Sequence, residues 1–350
     1  MIEYLLYGAN GYTAQLIIKE SLKQGLRPVL AGRNKTKIEP LAAEYALPYR
    51  IIDLEDEALL IKELNNYSLC LNAAGPFSKT AKQMAKACLK SNTHYIDITG
   101  EIGVFEHLKS YDEEAKAKGL MLMPGVGFDV VPSDCLANYL KEKLPDAHSL
   151  ELSFTSLEGG LSHGTASTMV GELGNKSVTR KEGKLKQVAL AYKSKVVDFG
   201  AFSTGVATIP WGDISTAFTS TQIPNIDVYT KIPKSALRLL KLQGLFNPIL
   251  RTSLVRKWGQ NYVDKNIYGP SEAKNKKGRS FLHGIVFNDT KSKSARLVCA
   301  EGYLLTALCS VNIAKKILED QFTPGYQTPA MAYGWKLILE MEGSEFEEIS

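Results

Sequence analysis

Six short apolar runs, at residues 2–7, 28–31, 49–52, 68–72, 94–98 and 120–124, alternate along the first third of the chain with segments whose apolar residues recur at helical spacing. This alternation leaves few folds open. Successive strands joined by helices are not hairpin partners; they lie parallel, with each connection crossing over in the right-handed sense. The crossovers put helices on both faces of the sheet, so the strands read as continuous apolar runs. The intervening segments agree. Residues 13–24 carry Leu16, Ile17 and Leu22, with Gly25 behind them as a stop, and the next helix holds Ile38, Leu41, Ala42 and Tyr45. Further helices are expected at Glu57–Leu64, 80–90 and 104–118. The spacing predicts a doubly wound parallel α/β sheet over residues 1–125.

Past Pro124 the pattern changes. Residues 149–156, 214–220, Asn225–Lys231, 281–288 and 295–301 alternate apolar and polar side chains, as strands with one face on a core do. A second, α+β domain with a mixed sheet is expected over residues 126–324, with late helices at 303–318 and 329–339. Length agrees, since 350 residues exceed the roughly 150 of a common single domain.

Composition removes other classes. With 44% hydrophobic and 23% charged residues, the chain is neither disordered nor low-complexity. A net charge of +5 spread over this length does not argue for nucleic acid. Cys70, Cys88, Cys135, Cys299 and Cys309 are scattered among apolar neighbours, with no CxxC and no metal-ligand spacing. They read as small core residues in a reducing compartment, and no metal site is expected. The first residues, Met1-Ile2-Glu3-Tyr4-Leu5, carry an acid where a secretion signal carries bases. No uninterrupted apolar run approaches the roughly 18 residues that a spanning helix needs. The expectation is a cytoplasmic protein.

Strand one runs into Gly8-Ala9-Asn10-Gly11-Tyr12-Thr13-Ala14 and straight on into a helix. Glycine permits the tight turn and lets backbone N–H groups approach a pyrophosphate at the positive end of the helix. Opening the first βαβ unit, this loop marks a Rossmann-type dinucleotide site built from Gly8, Asn10, Gly11, Tyr12 and Thr13. The end of strand two selects the dinucleotide. NAD enzymes place an acid there against the ribose 2′-hydroxyl, whereas Ala31-Gly32-Arg33-Asn34-Lys35 has none. Arg33, beside Asn34, can clasp a 2′-phosphate bidentately, and Lys35 and Lys37 add positive field. NADP(H) is favoured over NAD(H). Asp53, ending strand three, either accepts from the adenine amino group or caps the next helix. Asn72, Ala73, Ala74, Gly75 and Pro76 end strand four with small residues, against which a nicotinamide ribose can lie.

These segments, together with Tyr95–Glu101 (YIDITGE) and Gly127–Asp134 (GFDVVPSD), resemble the saccharopine dehydrogenase-like oxidoreductases. The likeness is greater to the branch of trans-acting enoyl reductases and animal saccharopine dehydrogenase-like oxidoreductases than to the lysine-pathway enzyme. The late segments YGPSEAKNKKGRS, EGYLLTA and PGYQTPA extend it over most of the chain. The resemblance implies a Rossmann domain, a second domain with a mixed sheet over the nicotinamide end, and NAD(P)H-dependent redox chemistry. It also implies C-terminal helices, within 325–345, packing back on the Rossmann half. One departure is Ala14, which stands where a strict fingerprint has its third glycine.

Hydride transfer also needs a proton donor or polarising group from the protein. The candidates are Asp129, in the loop after strand six, and His163, in Ser162-His163-Gly164-Thr165-Ala166-Ser167-Thr168. Asp97, Glu101 and Asp134 stand nearby in sequence, with helix capping and loop hydrogen bonding as competing roles for Asp97 and Asp134. A structural role competes for His163. There is no Ser-x-x-x-Tyr-x-x-x-Lys helix near residues 130–170. Three functions stay open: an NADP(H)-dependent reductase of a hydrophobic carbonyl or enoyl compound, a saccharopine-type amino-acid dehydrogenase, and a non-catalytic dinucleotide sensor.

One stretch remains outside this scheme. Residues 231–280 hold twelve Lys and Arg against Asp264 and Glu272, a net +10. Ala236, Leu237, Leu239, Leu240 and Leu242, then Leu245, Phe246, Ile249, Leu250, Leu254 and Val255, give apolar faces to two helices that Gly244 and Pro248 are expected to split. Over 234–258 this is either a peripheral contact with an anionic membrane or a core hairpin with solvated lysines.

Overall fold

Tyr4 to Tyr7, Val29 to Ala31 and Leu69 to Leu71 are all buried. Side chains pointing to both faces of these strands are therefore covered, as in a sheet sandwiched between helices. The computed structural model describes residues 3–157 and 160–349, in two compact units. The first comprises Met1–Val131 with Tyr303–Ala332, the second Pro132–Gly302 with Tyr333–Ser350.

The first unit holds β1 (Glu3–Tyr7), α1 (Tyr12–Lys23), β2 (Arg27–Gly32), α2 (Lys35–Tyr45), β3 (Tyr49–Ile51) and α3 (Glu57–Leu64). It continues with β4 (Leu69–Asn72), α4 (Phe77–Lys90), β5 (His94–Asp97), α5 (Ile102–Leu108), α6 (Asp112–Ala117) and β6 (Met121–Met123). The strands pair in the order β6-β5-β4-β1-β2-β3, with a seventh, Gly325–Tyr326, beyond β6, and every ladder is parallel. This is the expected doubly wound sheet. Its strand order reverses between β1 and β4, the point where such sheets open a crevice. Register matters as much as order. Tyr7 stands opposite Ala31 on one side and Asn72 on the other, and Asn72 stands opposite Asp97. The loops that follow these residues therefore leave the sheet side by side along its carboxyl edge.

The second unit contains α7 (Val131–Lys143), β7 (Ser149–Leu157), α8 (His163–Gly171), β8 (Ser177–Lys181), β9 (Lys184–Val188), β10 (Ser194–Asp198) and β11 (Ser203–Thr208). After these come α9 (Asp213–Thr221), β12 (Asn225–Lys231), α10 (Lys234–Leu250), α11 (Ser253–Asn266), α12 (Glu272–Lys277), β13 (Arg279–Phe287) and β14 (Ser292–Ala300). The sheet is mixed, as expected: β12 runs parallel to β7, and the other ladders are antiparallel. Its order is β10-β11-β12-β7-β13-β14, closed by Glu345–Ile349, with β8 and β9 attached at β12.

Three local expectations are corrected. Residues 214–220 are helix, not strand. The alternation there coincides with a helical set, in which Ile214, Ala217 and Thr221 are buried. The Thr219 hydroxyl bonds back to the Ser215 carbonyl at 3.1 Å, which lets a Ser/Thr-rich segment sit in a helix. Residues 234–250 form one helix running through Gly244 and Pro248. The break falls at Thr252, whose hydroxyl accepts from the Val255 N–H to start α11. The late helix stops at Tyr333, because Gly334 turns to φ 76° and a short 3-10 turn, Trp335–Glu340, follows.

The return to the first unit begins at Tyr303 and ends at Ala332, earlier than residues 325–345. It consists of α13 (Gly302–Leu318), the seventh strand and α14 (Pro329–Tyr333). Hydrogen bonds lock it in place: Phe128 N–H donates to Thr306 Oγ1 at 2.9 Å, and Tyr326 N–H to Asp112 Oδ1 at 2.8 Å.

Candidate dinucleotide site

The turn after β1 is closed by the N–H groups of Gly8 and Ala9, which both donate to the Ala31 carbonyl, at 2.8 and 3.1 Å. Gly8 has φ +80°, and a Cβ there would lie 2.7 Å from the backbone nitrogen of Ala74. Only glycine permits that approach between the two loops. Gly11 donates to the Gly8 carbonyl at 2.9 Å and precedes α1 in an extended conformation. The helix starts with no side-chain cap and no acid in its first turn. Its positive end is thus not neutralised by a carboxylate of its own turn, the condition for holding a pyrophosphate. Ala14 is fully buried, so helix and sheet accommodate its methyl.

At the end of β2 the side chains of Arg33, Asn34, Lys35 and Lys37 are exposed, and α2 has no acid in its first turn. Asn34 accepts the Thr36 hydroxyl at 2.7 Å. Asn10 is a neighbour of this corner, with its Oδ1 3.7 Å from where a Cβ on Gly32 would stand. Tyr7 lies below; its phenol donates to the Ile52 carbonyl at 3.1 Å and is pushed up to about 12, first by burial, then by the charge of Asp53, with Arg33 opposing. Asp53 and Arg33 therefore bear on one spot. Of the two roles for Asp53, capping falls to Asp56, which accepts from the Leu59 N–H at 3.0 Å. Asp53 stays exposed and turns its loop by accepting from the Glu55 N–H at 3.2 Å.

The loop after β4 is held from beneath. Asn72 is fully buried; it accepts from Ala74 N–H at 3.0 Å and donates to Thr80 Oγ1 and Tyr95 Oη, both at 3.3 Å. Its side chain shapes the loop, while Ala73, Ala74, Gly75 and Pro76 form the surface. The Tyr95 hydroxyl donates to Asp97 Oδ2 at 2.6 Å, and Asp97 Oδ1 accepts from the N–H groups of Thr99 and Gly125 at 2.9 and 3.0 Å. Burial raises the Asp97 carboxyl to about 6 despite these bonds. Glu101 has a role that the sequence analysis missed. Its two carboxylate oxygens accept from Phe77 and Ser78 N–H, at 2.7 and 3.0 Å, capping α4 from another loop. The signal lay in register: β4 and β5 end together, which sets the following loops side by side.

Asp129 is half-buried, and its carboxylate lies against Gly100, where a Cβ would come 2.8 Å from Oδ2. Asp129 thus joins Asp97 and Glu101 at the ends of β5 and β6. Tyr12, at the start of α1, packs edge-on against Tyr303 of the return segment, with centroids 5.2 Å apart. The other candidates lie in the second unit. Asp134 is buried inside α7 and accepts the Ser220 hydroxyl at 2.5 Å, a structural bond. His163 opens α8 with Nε2 2.8 Å from Asp264 Oδ1 of α11. All five cysteines are buried, and none is in a disulfide among the described residues. Among the described residues, no group of three or more metal-binding side chains could hold an ion, and no helix is long and apolar enough to cross a membrane.

A nicotinamide dinucleotide fits the cradle: Gly8 and Gly11 leave the approach to α1 open, small residues line the β4 loop, and cations flank the end of β2. Comparisons with known proteins agree at this level. Residues 4–123 match the model of the saccharopine dehydrogenase NADP binding domain. The chain is 26% identical over 205 residues to a saccharopine dehydrogenase-like oxidoreductase of Rattus norvegicus, covering 51% of this chain and 48% of that one. It is 28% identical over 165 residues to a trans-acting enoyl reductase of Mycobacterium ulcerans, covering 44% and 39%. The matches thus span about half the length of these curated relatives, or less. The apo saccharopine dehydrogenase (L-Glu forming) of Saccharomyces cerevisiae superposes over all of both chains with a TM-score of 0.69 at 12% identity, a likeness of fold.

Proposed function

We propose, on the premise that this chain carries the NADP-binding domain of the saccharopine dehydrogenase-like oxidoreductases, that it is an NADPH-dependent reductase of a hydrophobic carbonyl or enoyl substrate. The observation that carries the cofactor choice is the end of β2, where Arg33, Lys35 and Lys37 are exposed and neither residues 31–35 nor the first turn of α2 holds a carboxylate, the nearby Asp53 belonging to the loop after β3. A guanidinium meets a 2′-phosphate with two parallel charge-assisted bonds. The α1 N-terminus, entered through Gly8 and Gly11, would hold the pyrophosphate, and the loop 73–76 would lie against the nicotinamide ribose. When bound, the nicotinamide supplies the hydride. Asp129, at the ends of β5 and β6, is assigned proton delivery to the substrate atom that gains negative charge, and His163 is the second candidate.

Support for the substrate class comes from the arginines of the second unit whose side chains are described, which leaves out Arg238. A dicarboxylic amino-acid substrate needs several guanidinium groups free to converge on it. Arg180 is buried on the carbonyls of Ile214 and Gly183, Arg251 holds Gly174, and Arg256 holds Leu173 and Asn175. Arg279 folds onto the carbonyls of Lys276 and Gly278, and Arg296 lies between Asp198 and Glu347. Engaged in this way, they favour an uncharged substrate over the saccharopine-type alternative. The test is NADPH oxidation followed by absorbance against three probes: medium-chain enoyl thioesters, aliphatic aldehydes and ketones, and 2-oxoglutarate with lysine. Turnover of either of the first two is expected. Turnover of the third alone would establish the amino-acid dehydrogenase, and tight binding of NADPH without turnover of any would establish the sensor.

A further inference from the structure

Helix α11 has a packed side and a bare side. On the packed side Gly259 lies against Val170 and Leu173, Gln260 donates to Ser167 at 2.9 Å and Arg256 reaches the Leu173 carbonyl at 3.0 Å. Asp264 meets His163 on the same side, and Val263 is buried there. On the other side Leu254, Trp258 and Tyr262 are 79%, 73% and 56% exposed. These positions follow each other four residues apart, so at 100° per residue they fall within roughly 80° of the helix circumference. Phe246 and Ile249, three residues apart at the end of α10, are also exposed.

Scattered apolar side chains on a surface need no explanation. A file of leucine, indole and phenol is different, because aromatic rings with one polar atom prefer the layer where hydrocarbon meets water. The charges complete the pattern. Lys257 and Lys265 are exposed beside the file, within a segment of net +10, and long basic side chains snorkel from such a face to anionic headgroups. Asp264, one of the two acids in that segment, is turned to His163 and Gln260.

We propose that α11, with the end of α10, is a peripheral membrane contact that seats Leu254, Trp258 and Tyr262 in the interfacial layer of an anionic phospholipid bilayer. Like charge argues against a second copy as the occupant, since two such segments, each of net +10 over residues 231–280, would repel. The contact reaches further along the chain than the expected 234–258. The side chains of Ala236, Leu239, Leu242 and Leu245, part of that expectation, lie outside the described residues.

The experiment is sedimentation of the full chain with phosphatidylcholine vesicles, with and without phosphatidylglycerol, at low and high salt. Binding is expected only with the anionic vesicles at low salt. The double variant Leu254→Ser/Trp258→Ser should bind about tenfold more weakly or worse, with NADPH affinity retained. Charge reversal, Lys257→Glu/Lys265→Glu, should do the same without altering the apolar file, and it decides the matter if the first variant unfolds. Absence of wild-type sedimentation, or equal binding by the variants, overturns the proposal. So does a wild-type dimer that the serine variant dissociates, with no vesicle binding. The readout is independent of NADPH oxidation, so failure of the reductase reading and failure of this one are distinguishable.

Discussion

A Cβ on Gly8 would stand 2.7 Å from the backbone nitrogen of Ala74, whereas one on Gly11 would meet nothing nearer than the Gly8 carbonyl, at 3.3 Å. The two glycines of one loop therefore do different work, and substitution separates them. Gly8→Ala must adopt φ +80° and push the β4 loop away, so a loss of about 2 kcal/mol or more in unfolding free energy is expected. Gly11→Val keeps an ordinary φ of −69°. It should melt near the wild type and lose NADPH binding, since its branch enters the pyrophosphate's space. Normal NADPH affinity in Gly11→Val, by fluorescence titration, would mean that the cofactor sits elsewhere.

Arg33→Ala should erase the preference for NADPH over NADH. The guanidinium is exposed and no hydrogen bond or ion pair from it is seen among the described residues, so the change should appear as a rise in the Kd for NADPH of about tenfold or more, with that for NADH little altered. Equal affinities of the wild type for both cofactors would refute the assignment of Arg33.

Glu101→Ala removes the acceptors of the Phe77 and Ser78 N–H groups. Loss of a helix cap costs about 1 kcal/mol. Because these donors follow the 73–76 loop directly, weaker NADPH binding should accompany the lower melting temperature. A stability loss with unchanged cofactor affinity would confine Glu101 to the helix alone.

The pH dependence of stability carries the mark of Asp97. Its folded-state value, about 6, lies above the ordinary 3.8, because burial disfavours the charge. The stability it contributes is therefore fully present below about 3.8 and lost as pH rises through 6. That interval corresponds to roughly 3 kcal/mol. Asp97→Asn keeps an oxygen for the Thr99 and Gly125 N–H groups but does not titrate. Urea unfolding of both proteins between pH 4 and 7.5 should show the wild type losing ground to the variant as pH rises; parallel profiles would show that Asp97 does not titrate in this way.

The parallel sheet was legible because its strands are buried on both faces and its glycine loop has one geometric use. Local period was a poorer guide in the second unit. The alternation of Ile214, Thr216 and Phe218 suits a strand, yet Ile214, Ala217 and Thr221 also share a helix face, and tertiary burial chose the helix. Arg33 and the glycines were singled out as candidates from type and place in the chain. The capping role of Glu101 and the packing of Tyr303 were not legible, since they depend on which loops lie side by side, and no spacing within one segment records that. For Asp53 the sequence left two roles, and the nearby Asp56 took the cap.

The pairing of Gly325–Tyr326 with β6 has a consequence for synthesis. A ribosome delivers β1 to β6 first, but the strand that covers the outer edge of β6 emerges about two hundred residues later, after the whole second unit. Until then the nascent sheet has an open edge, the Asp112 carboxylate lacks the Tyr326 N–H, and the loop before α7 lacks Thr306. The nucleotide-binding half is thus the first to be made and the last to be finished, and a fragment ending at residue 131 should bind NADPH poorly unless residues 303–332 are supplied with it.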